Sequence, residues 1–195
     1  MIDTRDSASS IYPIDIVIMA GGKGSRLGGL EKPLLKICGE RIIDHVIREV
    51  KKIRHRRIII CTRKELFNEL LSLASRCVEV IECPGKDYVE DLNYVFTKIN
   101  FPALILPSDM PFITSRVIEK FLREAFSTRS DVITLMRCDK TRCVETGISL
   151  FNKSGGEWSN IFFNDIPELR DIDTPEDLLW AERQCVSMGE LEKQK

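Results

Sequence analysis

IDIVIMA (14–20), GGKGSRLGGLEKPLLKICGE (21–40) and RIIDHVI (41–47) follow one another without a break. The first is an apolar, β-branched run whose single charge is Asp15, the pattern of a central strand buried on both faces. The second is rich in glycine and carries Lys23, Arg26 and Lys32. From the third onward, Ile42, Ile43, Val46, Ile47 and Val50 recur at helical spacing, with Arg48, Glu49, Lys51 and Lys52 on the opposite face. Strand, glycine turn with cations, then helix is a layout for holding phosphates. Glycines let backbone N–H groups crowd an anion without Cβ clashes, while lysine and arginine neutralise it.

The same alternation continues along the chain. RRIIICT (56–62) reads as a strand, and Leu66, Phe67, Leu70, Leu71 and Ala74 mark a helix. CVEVIEC (77–83) is a strand ended by Pro84-Gly85. Asp87 and Glu90 then form a capping box for a helix whose inward face is Val89, Leu92, Phe96 and Ile99. PALILPSDMP (102–111) is a strand that stops at Ser108-Asp109, and a helix after Thr114 buries Val117, Ile118, Phe121, Leu122 and Ala125. DVITLM (131–136) and VETGISLF (144–151) are strands with no long helix between them, which points to a mixed-direction edge. TPEDLLWAERQ (174–184) starts a last helix, capped by Thr174 with Pro175 at its first position. The spacing leaves the segment around Trp158, Phe162 and Phe163 unassigned.

Repeated strand–helix alternation predicts an α/β fold, a Rossmann-like, mostly parallel sheet with helices on both faces. One domain over 1–195 is expected, with loose tails at 1–12 and 186–195. In such sheets ligands sit beyond the carboxyl ends of the strands. The glycine loop, Gly85–Asn93 and Ser108-Asp109 all fall at such ends, which points to a single site there.

The net charge of −1 leaves no basic excess for a general nucleic-acid or membrane-surface binder, so any affinity for phosphate is local. Seven cysteines, an odd number with no Cys-x-x-Cys pair, indicate neither a disulfide framework nor a zinc ribbon, and are expected as buried, reduced thiols. MIDTRDSASS (1–10) is too polar for a signal peptide, and no apolar run is long enough to span a bilayer, so the expected address is the cytoplasm. His45 and His55 have no serine, cysteine or aspartate at a spacing that suggests a dyad, and are expected in structural or solvated roles.

Two common phosphate loops fail on spacing. A Walker A loop counted from Gly24 reaches Gly29, but Leu30 stands where lysine is needed. A dinucleotide fingerprint starting at Gly22 needs glycine at 27, which is leucine. What stands there instead, Gly21, Gly22, Gly24, Arg26, Leu27, Gly28, Lys32 and Pro33, resembles the signature loop of the nucleotidyltransferases that move a nucleoside monophosphate onto a phosphate or sugar phosphate. LPSDMPF (106–112) and RDIDTPEDLL (170–179) resemble two further motifs of that superfamily. The chain departs from the second by placing aspartate at 173, where asparagine is frequent; a carboxylate there still suits a hard cation. MAGGKGSRLGGLEKPLLKICGERIID (19–44), PGKDYVEDLN (84–93) and VETGISLF (144–151) resemble the archaeal-type adenosylcobinamide-phosphate guanylyltransferases in particular. The molybdenum-cofactor guanylyltransferases usually carry a different segment in place of 84–93.

That resemblance implies a nucleotide-diphospho-sugar transferase-like fold, GTP as donor, a phosphorylated corrinoid as acceptor and Mg²⁺ as cofactor. A homodimer is left open. Arg26 would grip the leaving pyrophosphate, Lys32 would face the reacting phosphorus, and Asp109 and Asp173 would hold the metal. Asp171 is read as pointing the other way along the chain or as a surface acid. Ala20, Gly21, Gly22, Gly24 and Gly28, with Gly85, Asp91 and Asn93 opposite, would surround the nucleotide; Asp91 and Asn93 read equally as an exposed polar helix face. Lys23 is either a further phosphate contact or simply solvated. Glu145, Thr146 and Gly147 are expected near the acceptor, with a β-bulge as the rival reading of Gly147.

Overall fold

A computed structural model describes residues 13–22, 24 and 27–192, with the side chains of the last helix followed as far as 187. Strand β1 (Ile14–Met19) is an inner strand of a seven-stranded sheet, paired on both edges. A two-stranded ribbon, β2 (Lys36–Ile37) and β3 (Glu40–Arg41), leads into α1 (Ile42–Val50). Then come β4 (His55–Thr62), α2 (Lys64–Leu71), β5 (Val78–Glu82), α3 (Tyr88–Phe96), β6 (Ala103–Pro107) and α4 (Ser115–Phe126). The chain continues through β7 (Val132–Cys138), β8 (Cys143–Phe151) and β9 (Trp158–Asn164) to α5 (Pro175–Glu192). The helix α5 therefore runs through part of the tail expected from 186.

The strand order is β5-β4-β1-β6-β8-β7-β9. β5, β4, β1 and β6 run parallel, β8 is antiparallel to both its neighbours, and β7 pairs parallel with β9. The mixed edge expected from the missing crossover helix is present, and the fold is the Rossmann-like mixed sheet that the alternation predicts. Strand β9 is an edge strand that the spacing did not reveal.

Alternation along β1 divides the core. Ile14, Ile16 and Ile18 pack with α1 and α4, while Val17, Ile59 and Ile105 face Val95 of α3 on the other side. The inward residues expected for α1 and α4 are all buried. In α3 the expectation fails at one position, because Val89 is 64% exposed while Asp91 and Val95 are buried. The helix is rotated so that a carboxylate points inward, for a reason found in the site.

Asp15 is the one charge inside β1, and it is fully buried. Burying a carboxylate is tolerated only with partners. Here Arg56 Nε (2.7 Å), Arg57 Nε (3.2 Å) and the Asn100 N–H (2.8 Å) all donate to it.

The cysteines overturn the expectation of reduced thiols. Cys38 pairs with Cys185, Cys61 with Cys83, and Cys138 with Cys143; among the described residues only Cys77 is free. Sequence spacing could not show this, because the fold creates the pairs. Cys38 and Cys185 are 147 residues apart, Cys61 and Cys83 end neighbouring parallel strands, and Cys138 lies opposite Cys143 across a hairpin. No described helix is long and apolar enough to cross a membrane.

Candidate active site

At the carboxyl ends of β1, β5 and β6 lies a cavity of about 440 Å³, a size suited to a small molecule or nucleotide. Its walls bring together Gly21, Gly22, Gly24, Lys32, Gly85, Asp91, Asp109 and Asp173, from stretches as far apart as 21 and 173. Ala20 lies beneath it, with its N–H given to Cys61 O and its carbonyl accepting the Thr62 hydroxyl. Gly28 and Asn93 face solvent away from the lining. Lys23 and Arg26 lie outside the described residues.

The glycine loop closes on itself. Gly24 O accepts the N–H groups of Leu27 (2.9 Å) and Gly29 (3.1 Å). Gly24 has φ +57°, and a Cβ there would lie 2.0 Å from Leu30 O. No side chain fits, so glycine is obligatory at this position. Lys32 and Pro33 begin the short 3₁₀ turn Lys32–Leu34, which delivers the lysine to the cavity floor.

The Lys32 ammonium donates to Asp109 Oδ2 at 3.1 Å and also to Asp173 Oδ1. Lysine and Asp109 are largely buried, with side chains 14% and 17% exposed. Burial works against the charged ammonium, but the Asp173 hydrogen bond and the charge of Asp109 outweigh it and hold Lys32 above its ordinary pKa. For Asp109, burial wins over the nearby lysine, and Asp171 and Asp173 add to it, so the carboxyl is pushed up. Asp171 thus belongs electrostatically to this corner.

Two local devices place Asp173. Ile172 donates its N–H to the Asp109 carbonyl at 3.0 Å, zipping the two aspartate segments together. Asp177, in the first turn of α5, accepts from Asp173 N–H (3.1 Å), Thr174 N–H (2.8 Å) and the Thr174 hydroxyl (2.8 Å). The Asp177 N–H returns to Thr174 Oγ1 at 3.3 Å. This reciprocal cap holds the residue ahead of the helix. Sequence reasoning missed Asp177, although its spacing of three from Thr174 is the signal.

Asp91 explains the rotation of α3. Its Oδ1 accepts the Gly85 N–H at 2.7 Å, and its Oδ2 would lie 3.1 Å from a Cβ at Gly21. The buried carboxylate therefore holds the loop after β5 and lies close against Gly21, where it leaves little room for a side chain. Asp87 caps α3 by accepting the Glu90 N–H at 2.8 Å, while the Glu90 side chain turns to Lys86 instead of completing the box. Lys86, Asp87 and Tyr88, none of them named from the sequence as a site residue, also line the cavity.

The three residues expected near the acceptor lie beside the cavity and do not line it. Tyr88 is about half exposed; partial burial of its hydroxyl and the charge of Glu145 raise its pKa. Thr146 is buried, donating to Leu135 O at 2.8 Å and accepting the Ile148 N–H at 3.2 Å. Gly147, at φ +75°, would place a Cβ 3.4 Å from the Pro107 ring, next to a register shift between β7 and β8. That is the bulge reading of Gly147, and it packs the strand against the end of β6. His45 has a structural role: Nε2 pairs with Ile113 O at 3.1 Å, and Nδ1 accepts from Arg48.

Among the described residues no group of three or more metal-binding side chains occurs. The donor set still fits Mg²⁺. Two carboxylates already face one cation, the Lys32 ammonium, and Mg²⁺ is usually held by one or two carboxylates plus substrate phosphates.

A parallel-sheet core with a glycine loop and paired aspartates at its carboxyl edge defines a nucleotide-handling α/β protein. Solved structures share this fold: CMP:2-keto-3-deoxy-manno-octonic acid synthetase complexed with CTP superposes with TM-score 0.71 at 17% identity, over 90% of this chain and 99% of the other. The 4-diphosphocytidyl-2C-methyl-D-erythritol synthase of Anaerococcus prevotii does so with TM-score 0.70 at 11% identity, over 88% and 97%. The chain belongs to the MobA-like NTP transferase domain family, whose model matches residues 16–185. Adenosylcobinamide-phosphate guanylyltransferase of Methanocaldococcus jannaschii is 38% identical over 115 residues, 56% of this chain and 58% of that protein. A molybdenum cofactor guanylyltransferase of Pseudomonas putida is 31% identical over 125 residues, 62% and 63%. In both cases the match spans less than two thirds of the relative's length.

Proposed function

We propose that this protein transfers the guanylyl group of GTP to a phosphorylated corrinoid, adenosylcobinamide phosphate, releasing pyrophosphate, as a step of cobalamin biosynthesis in the cytoplasm. One observation carries the chemistry: a buried lysine held between two aspartates beneath a glycine loop, at the carboxyl edge of the sheet. An acceptor phosphate oxygen would attack the α-phosphorus, forming one P–O bond while the bond to pyrophosphate breaks. Little covalent help is needed from the protein; pose and charge neutralisation dominate. Bound Mg²⁺ would neutralise charge on the triphosphate from Asp109 and Asp173. Lys32, already charged and anchored, would swing from the carboxylates to the reacting phosphate and stabilise charge growing there. Asp91, bonded to the Gly85 N–H, would hold that backbone at the edge of the nucleotide.

The acceptor rests on the 38% identity to the archaeal enzyme and on PGKDYVEDLN (84–93), which the structure places at the cavity mouth. The 31% identity to molybdenum cofactor guanylyltransferases supports a second reading, the same transfer onto molybdopterin. The test is pyrophosphate release from GTP and Mg²⁺ with each acceptor. Release with adenosylcobinamide phosphate alone is the expected result; release only with molybdopterin would replace the acceptor and leave the mechanism. Asp109→Asn should abolish most turnover in a folded protein.

A further inference from the structure

A second, smaller cavity opens at the same carboxyl edge of the sheet, on the far side of β8. Strands β7 and β9 run parallel to β6, so their carboxyl ends point the same way as those that carry the catalytic groups. The cavity is lined by Arg137, Asp139, Arg142, Val144, Asp165 and Arg170, and measures about 60 Å³. At roughly 10–15 Å³ for one water, the space is on the order of a group of four or five heavy atoms.

Three guanidiniums share this space, and none of them donates a hydrogen bond to another described residue. Asp165 Oδ1 stands 3.7 Å from Arg137 Nε and 3.9 Å from Arg170 Nε, beyond hydrogen-bond distance from both. Asp139 is committed elsewhere. Its Oδ1 accepts the Thr141 hydroxyl (2.6 Å), the Thr141 N–H (2.7 Å) and the Arg142 N–H (2.9 Å). Those bonds lower its pKa to about 2, so it serves the turn as a fixed anion. Three positive and two negative side chains leave the cavity with one excess positive charge and its guanidinium donors unspent. The arginines at 56, 57 and 63, by contrast, all donate to carboxylates.

The walls are also fixed in place. The Cys138–Cys143 disulfide closes the hairpin that carries Arg137, Asp139 and Arg142. The Asp165 N–H donates to Cys138 O at 2.9 Å, tying the end of β9 to that hairpin. The Arg170 guanidinium lies over the Trp180 ring, 4.7 Å from its centroid, a cation–π contact that holds it beside α5. Three guanidiniums around a space of this size suit a tetrahedral oxyanion.

We propose that the Arg137–Arg142–Arg170 cavity is an oxyanion site, distinct from the Lys32 site, that takes a phosphate group. The phosphate is either free inorganic phosphate or one carried by a bound phosphate ester. Arg170 is three residues from Asp173, so the anion would brace the segment that presents that carboxylate. The site stands on the cluster itself and does not depend on guanylyl transfer.

The test is binding rather than turnover, so failure of this site and failure of the transfer reaction remain distinguishable. The side-chain Nε–Hε resonances of Arg137, Arg142 and Arg170 would be assigned by single Arg→Gln substitutions and followed during titration at constant ionic strength. One arm uses inorganic phosphate and the other adenosylcobinamide phosphate, each with the full chain and with Lys32→Ala. Saturable movement of these resonances, retained in Lys32→Ala and lost in Arg137→Gln/Arg142→Gln, is the expected result. Saturation at lower concentration by the ester identifies an ester-borne phosphate; movement with inorganic phosphate alone identifies the free ion. Resonances that stay still in both arms, or that move only when Lys32 is present, overturn the proposal.

Discussion

Ile172 donates its N–H to the carbonyl of Asp109 at 3.0 Å, and this one backbone bond sets the spacing between the two carboxylates that hold Lys32. The side chain that keeps Ile172 and Asp173 in register is Asp177, through three hydrogen bonds to Asp173 and Thr174. Asp177→Ala removes all three without touching the cavity lining. Losing such a supporting group typically costs 10- to 100-fold in activity or metal affinity, and losing the cap costs about 1 kcal/mol of stability. The expected outcome is that the proposed guanylyl transfer falls by roughly tenfold or more, with half-activation at a higher Mg²⁺ concentration. Kinetics across a Mg²⁺ series check it, and an unchanged Mg²⁺ requirement would show that Asp173 needs no such support.

Asp15 gives a prediction about stability alone. It is buried in the inner strand β1 and paired with Arg56, Arg57 and the Asn100 N–H. Asp15→Ala leaves two guanidiniums and one backbone donor unpaired. Breaking a buried pair on one side costs about 3–5 kcal/mol. Because both arginines are about a third exposed, water recovers part of that and the loss should fall toward the lower figure. Urea unfolding should show it, with Asp15→Asn losing less because it keeps an acceptor for Asn100.

The parts of the fold that were legible share one property: their pattern and their burial agree. β1 reads as a buried strand because it is one, and α1 and α4 bury the residues that helical spacing selects. β9 was not legible because it is an edge strand that exposes Trp158 and Phe162 while burying Ile161 and Phe163, so the apolar residues do not alternate with polar ones. The inward face of α3 was misjudged at Val89 because the helix answers to a hydrogen bond, Asp91 to Gly85, as well as to apolar burial. Lys32, Asp109 and Asp173 could be proposed from short motifs, yet their meeting across 141 residues comes from the fold alone. The cysteine pairs are the extreme of the same limit, since partners on different elements leave no spacing to read.

His45 sets a pH dependence whose sign follows from its surroundings. Burial and the adjacent Arg48 lower its pKa, and these outweigh the Ile113 carbonyl, Glu49 and Glu40, which act the other way. The folded state thus resists protonating this imidazole, while the unfolded chain takes a proton near the ordinary value of about 6.5. Where the folded pKa is the lower one, the unfolded state binds more protons between the two values. Stability from His45 is complete above about pH 6.5 and declines as pH falls below it. His45→Gln should flatten the fall in Tm between neutral and mildly acid pH. A wild-type slope unchanged in that variant would assign the acid sensitivity to other groups.

The Cys38–Cys185 bridge joins the loop that follows the Lys32 turn to the third turn of α5, closing a span of 147 residues. Cross-linking so long a loop restricts the unfolded chain far more than the folded one. The loop-entropy relation puts the stabilisation at about 4–5 kcal/mol, a ceiling because denatured chains keep residual structure. The same helix begins two residues after Asp173, so the bridge anchors the element whose first turn presents that carboxylate. Cys38→Ser and Cys185→Ser should each lower unfolding free energy by most of that amount, and the double variant should lose no more than either single one. Reductant should destabilise the wild-type protein and leave the variants little changed through this bridge. Denaturant curves with and without reductant, beside intact-mass counting of thiols, measure both effects. Full additivity of the two substitutions would mean that these cysteines do not act as a pair.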